Sequence, residues 1–236
     1  MPLETKVICV PQNLPSSSMG LLCQRYKTAR LRALKEDPQA FFSTYDRESK
    51  FDDETWTARL QNPLAKTFAA IRTEETGGAD VSDIDQLTRN EWLGMIVLFG
   101  PRALPTDGSE SNTPWKPFLP PANFNEPPDP SSIAGSEAAY VALSMSVLVE
   151  ARRQGVGRKL IGASTEAARV EAISMRASRA NIGLWVEAEN VPAQRLYHGC
   201  GYSVLPADPA LEAGHGPGIS QVTMGKLVEL FGATSG

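Results

Sequence analysis

Tyr140-Val-Ala-Leu-Ser-Met-Ser-Val-Leu-Val-Glu-Ala-Arg-Arg-Gln-Gly-Val-Gly-Arg-Lys-Leu160 decides how the rest of the chain is arranged. Its first half is rich in β-branched and large apolar residues and reads as a strand. Its second half opens a helix. Val156, Leu160, Ala163, Ala167 and Val170 recur at i, i+4, i+7, i+11 and i+14, one apolar stripe on a helical wheel. Between strand and helix sits Arg152-Arg153-Gln154-Gly155-Val156-Gly157.

That junction has the chemistry of a phosphate site. The N–H groups of a helix's first turn lack intrahelical partners, and the helix dipole makes that end partly positive. Glycines remove the Cβ atoms that would hold a ligand away, so such a turn binds pyrophosphate through backbone alone. Arg152, Arg153, Arg158 and Lys159 add positive charge. The plainer reading of the same residues is a solvated basic helix start with a tight glycine turn. A P-loop does not fit, because Gly157 is followed by Arg158-Lys159-Leu160 and no hydroxyl is placed for magnesium. A dinucleotide fingerprint does not fit either, because the position of its third glycine holds Leu160.

Arg152-x-x-Gly155-x-Gly157 after a strand resembles the acetyl-CoA pyrophosphate loop of the GNAT superfamily of N-acetyltransferases. Further on, Leu184-Trp-Val-Glu-Ala-Glu-Asn190-Val-Pro-Ala193-Gln-Arg-Leu-Tyr197-His-Gly-Cys-Gly201-Tyr202 is similar to that family's second signature. The resemblance runs from about Val7 to Leu227 and is strongest from Tyr140 to Tyr202. It implies an α/β (α+β) GNAT acyl-CoA acyltransferase fold: a mixed, mostly antiparallel central sheet, helices on both faces, and fourth and fifth strands that splay apart.

The resemblance also implies a cofactor and a set of roles. Acetyl-CoA would pair its pantetheine arm with backbone groups of the fourth strand near Met145, at Ser146, Val147, Leu148 and Val149. Its pyrophosphate would meet Arg152, Arg153, Gln154, Gly155, Val156, Gly157 and Arg158, with Lys159 adding charge. The family pattern often has Pro at the position of Val149. Asn190 matches the residue that contacts the pantetheine arm, and Ala193 follows it in the motif. Tyr197 matches the residue whose hydroxyl faces the leaving sulfur, a general acid. For the base, Glu187 is the first candidate, with Glu189 on the same strand face if the strand continues that far, and Glu150 at the end of the fourth strand. Ser144 and Ser146, on the opposite face to Met145, are an alternative, holding a water that relays the proton; Ser144 is also placed against the acceptor. Phe41, Phe42 and Tyr45 fall in the segment that lines the acceptor groove in the family. Each role has a plainer counterpart: core packing for the aromatics, helix capping for Asn190, solvated strand ends for the glutamates.

The 236 residues are enough to bury a full core, and one domain spanning 1–236 is expected. Hydrophobic residues make up 42% and charged ones 21%, an ordinary soluble balance. A net charge of −4 argues against a nucleic-acid binder, which needs a broad cationic face. Cys9, Cys23 and Cys200 are widely spaced, and only His198 and His215 are histidines, so neither a disulfide framework nor a metal site is expected. The N-terminus lacks the shape of a signal peptide, and no apolar run spans a bilayer, so the expected setting is the cytoplasm or nucleus, away from membranes.

Elsewhere the chain alternates short elements with loops. Val7–Val10 reads as a strand. A helix follows, capped by Ser17 or Ser18, with Leu22, Tyr26, Ala29 and Ala33 as its stripe. Asp52 or Asp53 caps a short helix carrying Trp56 and Leu60. Thr67–Ile71 and Trp92–Phe99 read as strands joined by an exposed loop over Glu74–Asn90. Pro101–Gly135 is dense in proline and reads as a loop insertion, yet Trp115, Phe118 and Phe124 suggest that part of it packs on the body. After the long helix, Leu184–Glu187 is a strand, and Asn190 caps a short helix with Pro192 in its first turn, ended by Gly199 and Gly201. His198 faces away from Tyr197. Tyr202–Leu205 and Gln221–Leu227 close the chain, with Pro206–Gly218 a loop between them.

Three functions are compatible with these residues: an N-acetyltransferase acting on a small-molecule amine, the same chemistry on a peptide or protein amine, and a CoA-binding module without turnover. The two Pro-rich loops favour a small acceptor. The protein is expected as a monomer or homodimer.

Overall fold

In the computed structural model the described residues are 4–72, 81–120, 122–206 and 220–230. Seven strands form one sheet in the order β1-β2-β3-β4-β5-β7-β6. They are β1 Thr5–Cys9, β2 Ala65–Arg72, β3 Trp92–Leu104, β4 Glu137–Val147, β5 Arg179–Glu187, β6 Ser203–Val204 and β7 Gln221–Val228. β1 and β2 are antiparallel, as are β5 with β7 and β6 with β7, whereas β4 and β5 are parallel. The β4–β5 register runs from Glu137↔Arg179 to Val141↔Gly183 and ends there, although β4 continues to Val147.

The chain divides into two compact units, residues 1–98 with 143–164, and residues 99–142 with 165–236. The first holds α1 (Ser16–Glu36), α2 (Tyr45–Glu48), α3 (Asp53–Gln61) and α4 (Asp83–Arg89). The stripe Leu22, Tyr26, Ala29 and Ala33 is buried as its spacing predicts. Tyr26 meets Trp56 and Trp92 edge-on at 5.8 and 6.4 Å, the favoured geometry for aromatic rings. Asp52 caps α3 by accepting from the Thr55 N–H at 2.7 Å. α1 begins at Ser16 behind Pro15 with no side-chain cap, so the expected capping role of Ser17 or Ser18 is not met. The Glu74–Asn90 stretch is not loop throughout. Ser82 accepts from the Asp85 N–H at 3.1 Å and starts α4, which buries Leu87; the part up to residue 80 lies outside the described residues.

The second unit holds α5 (Pro130–Ile133) and α7 (Val191–His198), while α6 (Val156–Ser174) begins in the first unit and ends in the second. The α6 stripe is rotated from the expected one. Val156 and Leu160 are buried, but with Ile161, Ser164, Ala168 and Ala172, while Val170 is 53% exposed. β3 runs through Pro101 to Leu104, so the insertion starts later than composition suggests. Strand β5 is longer than expected, and Tyr202–Leu205 shrinks to a two-residue strand. No helix among the described residues is long and apolar enough to cross a membrane.

Candidate active site

In the first unit the site is built from the end of β4, the turn after it and the start of α6. Ser144 lies inside β4 at φ +54°, a left-handed conformation unusual for a residue with a side chain. β4 nevertheless continues through it to Val147, and strain of this kind persists only where its surroundings fix it. Gly94 on β3 explains how the two strands approach here. A Cβ on it would lie 2.6 Å from the Ser146 carbonyl oxygen, closer than any side chain tolerates.

Past Val147 the chain leaves the sheet: the Leu148 N–H donates to the Leu93 carbonyl at 2.8 Å, and Val149–Ala151 makes one 3₁₀ turn. Ala151 is buried and anchors the turn. Arg152 is held in place, its Nε donating to the Val147 carbonyl at 3.0 Å and its guanidinium paired with Asp37. Arg153 (φ +63°) and Gly155 (φ +81°) are both left-handed. Such residues turn successive N–H groups into an anion-binding concavity. No atom lies within 4 Å of a Cβ built on Gly155, so the turn faces open space. The Gly155 carbonyl accepts from the Lys159 N–H at 3.0 Å, which makes Gly155 the residue that starts α6 and leaves Val156 and Gly157 in its first turn. Gln154 donates to the Glu150 carbonyl at 2.8 Å, tying the turn to itself. Arg153 and Arg158 are exposed, whereas the Lys159 ammonium is taken up by Thr5, 2.9 Å from its carbonyl and from its hydroxyl.

Glu150 is a poor base in this arrangement. Its own backbone N–H, and then Arg32 at 2.8 and 3.0 Å, hold its carboxyl below the usual range. Arg32 also binds Glu36 and Glu91, and the hydrogen bonds it donates to Glu36 and Glu150 keep it firmly protonated. Among the acceptor candidates, Phe41 is partly buried with the Arg30 guanidinium 4.7 Å from its ring centre. Phe42 is 54% and Tyr45 39% exposed.

In the second unit Asn190 caps α7, its Oδ1 accepting from the Ala193 N–H at 3.2 Å. Gln194 donates to the carbonyls of Glu187 and Ala188 at 3.1 and 2.9 Å and fixes the turn between β5 and α7. Tyr197 is buried and its ring lies 5.7 Å from that of Tyr202, while His198 is exposed, as expected. Burial, and secondarily Cys200, pushes the Tyr197 phenol well above its ordinary value, so it holds its proton at neutral pH. Glu187 is the last residue of β5, paired with Gln221 of β7. Glu189 lies in the following turn, so it does not share a strand face with Glu187.

The Pro-rich insertion is docked on β5, a contact expected from its aromatics. Asn181 donates to the Ser111 carbonyl, Ser111 donates to Glu137 at 2.6 Å, and Glu137 pairs with Arg179 at 2.7 Å. Pro114 lies over Gly183, and Trp115 is fully buried with its ring 6.1 Å from that of Trp185. Phe99 contacts Phe118 and Phe124 at 5.7 and 6.1 Å. No cluster of three or more metal-ligating side chains occurs among the described residues.

Residues 131–204, from within α5 through β6, match the acetyltransferase (GNAT) domain. The fold is shared with solved acetyltransferases at low identity. Arabidopsis thaliana NAA60 in complex with acetyl-CoA is 13% identical over 95% of this chain and 98% of its own, with a TM-score of 0.52. A GNAT-family acetyltransferase from Streptococcus pneumoniae is 13% identical over 95% and 99%, also with a TM-score of 0.52. A nourseothricin acetyltransferase is 20% identical over 70% of this chain and 66% of its own, with a TM-score of 0.40. No curated protein matches the sequence significantly.

Proposed function

We propose that the protein is an N-acetyltransferase that moves an acetyl group from acetyl-CoA to a primary amine of a small molecule by direct attack in a ternary complex. The observation that carries the reading is the turn at Arg152–Gly157. It has two left-handed residues, open space at Gly155, a helix start behind it and exposed cations beside it. Those features fit a pyrophosphate. Val156, Gly157 and the Arg153–Gly155 backbone would hold it, with Arg153 and Arg158 adding charge. In the first unit Ser146, Val147, Leu148 and Val149 would bind the pantetheine amides; in the second, Asn190 and Ala193 are the candidate contacts. Bound there, acetyl-CoA would supply an activated thioester for acyl transfer to the amine nitrogen, with the CoA thiol as leaving group.

The chain's own residues do the rest. A backbone N–H of β4 near the left-handed Ser144 would stabilise the negative charge that builds on the carbonyl oxygen. Tyr197 keeps its phenolic proton at neutral pH and gives it to the departing sulfur. Glu187, or a water held by Ser144 and Ser146, takes the proton from the attacking nitrogen. In the first unit Phe41, Phe42 and Tyr45 are the candidate acceptor contacts. The docked insertion supports a small acceptor over a peptide, because it adds a fixed wall to the β5 face that ends in Glu187. The test is release of free CoA thiol from acetyl-CoA across a panel of small amines and peptides with free α-amines. Turnover on small amines, abolished in Tyr197→Phe, supports the reading; turnover on peptides alone contradicts its acceptor, and no turnover on either contradicts the activity.

A further inference from the structure

The partly buried end of the β5 face has a composition of its own. Alternate residues of a strand share a face, so Asn181, Gly183, Trp185 and Glu187 look the same way. Directly paired residues of antiparallel strands also share a face, which adds Thr223 opposite Trp185 and Gln221 opposite Glu187. The insertion covers this face at its far end, through Ser111 on Asn181 and Pro114 on Gly183. A Cβ on Gly183 would lie 2.8 Å from Pro114, so the seat requires glycine. Trp115 is wholly buried and backs the Trp185 ring at 6.1 Å with a 54° tilt. Trp185, Glu187 and Gln221 themselves are only partly buried.

Two polar atoms on this face are buried without a hydrogen-bond partner: the Trp185 indole Nε1, a donor, and the Gln221 Oε1, an acceptor. Buried donors and acceptors are nearly always paired, so such atoms call for an explanation. Beside them stands Glu187, whose carboxylate has no ion pair among the described residues, while the other carboxylate of this face, Glu137, is matched by Arg179. An aromatic ring, an uncompensated carboxylate and an unused carbonyl oxygen together suit a cation.

We propose that this patch is the acceptor subsite, and that the acceptor is a small cationic amine. Its ammonium lies against the Trp185 indole and donates to Glu187 and Gln221, and an oxygen of the same molecule takes the Trp185 N–H. Trp115 is a positioning residue that sets the Trp185 ring. The inference rests on the N-acetyltransferase reading for what happens to the bound amine, but the binding can be measured without turnover.

The experiment is titration of the full chain's tryptophan fluorescence with spermidine, glucosamine and the neutral 1,5-pentanediol, beside thermal unfolding with acetyl-CoA. The expected result is a saturable change with both amines and none with the diol. It is weakened about tenfold in Glu187→Gln, the loss of one charged hydrogen bond, and likewise in Gln221→Leu, with the acetyl-CoA-dependent shift unchanged in both. That shift also shows that each variant is folded. No saturable response to either amine, an equal response to the diol, or variants that bind as the wild type overturn the proposal. A short peptide α-amine that binds as well as the two amines overturns its small-molecule part. Amine binding without any acetyl-CoA shift leaves the patch standing and overturns the acetyltransferase reading.

Discussion

Replacing Glu48 tests the physical basis of the α1–α3 framework. Glu48 is 1% exposed and binds two guanidinium groups, Arg30 at 3.1 and 2.8 Å and Arg59 at 2.8 Å. Arg30 is itself 6% exposed, and its Nη1 has no hydrogen-bond partner among the described residues, so Glu48 carries nearly all of its compensation. Burial alone would raise the Glu48 carboxyl, but Arg30, then Ser43 and Arg59, outweigh it and hold it at about 2, against an ordinary 4.5. At about 1.4 kcal/mol per pH unit, that fall is worth about 3 kcal/mol. Because the folded value is the lower one, this stability is complete above 4.5 and is lost as the pH falls from 4.5 toward 2. Glu48→Gln strands Arg30 and is expected to lose about 3–5 kcal/mol at pH 7. In a chain of this size that is about 10 °C in Tm. At pH 3 the gap to wild type should narrow by about 2 kcal/mol, the part of the linkage already spent. Urea unfolding of both proteins at the two pH values measures this, and the double variant Arg30→Met, Glu48→Leu should recover part of the loss. A gap under about 1 kcal/mol at pH 7, or one equal at both pH values, refutes the reasoning.

Three further outcomes are expected. Tyr197→Phe should lower kcat by about 10²–10⁴-fold while leaving the acetyl-CoA dissociation constant unchanged, read by steady-state kinetics beside calorimetry. Gly94→Ala should destabilise by about 1–3 kcal/mol in urea unfolding, because its methyl would press on the Ser146 carbonyl. Trp115→Ala should cost about 3–5 kcal/mol and expose the insertion to limited proteolysis near Ser111–Phe118, whereas an insertion that is not docked would show neither effect.

What the sequence made legible is what local chemistry determines. The glycine-opened turn after β4, the Asn190 cap and the Tyr26 stripe each follow from residues within a few positions of one another. The α6 stripe was less legible because alanines occur on several faces of that helix, and the buried side is chosen by small residues, Ser164, Ala168 and Ala172, rather than by apolar ones alone. Helix α4 was signalled by Ser82 and Asp85 but masked by the polar residues ahead of it. The left-handed backbone at Ser144 has no sequence signature, since serine has no preference for that region. Glu189 fell off the strand face because the chain turns directly after Glu187. Docking of the insertion depends on contacts far apart in the chain, yet Gly183 inside an otherwise bulky strand was a usable sign that another backbone approaches there.

The central claim, that the turn at Arg152–Gly157 holds acetyl-CoA, is tested most directly by thermal unfolding with and without that ligand. At about 100 times its dissociation constant, acetyl-CoA should add about 2.7 kcal/mol, or about 5–10 °C. Gly155→Val fills the open space at the turn and strains a φ of +81°, so it should abolish the acetyl-CoA-dependent shift whatever its own Tm. A wild-type protein that does not respond to millimolar acetyl-CoA, or a Gly155→Val variant that responds as fully as the wild type, contradicts the account.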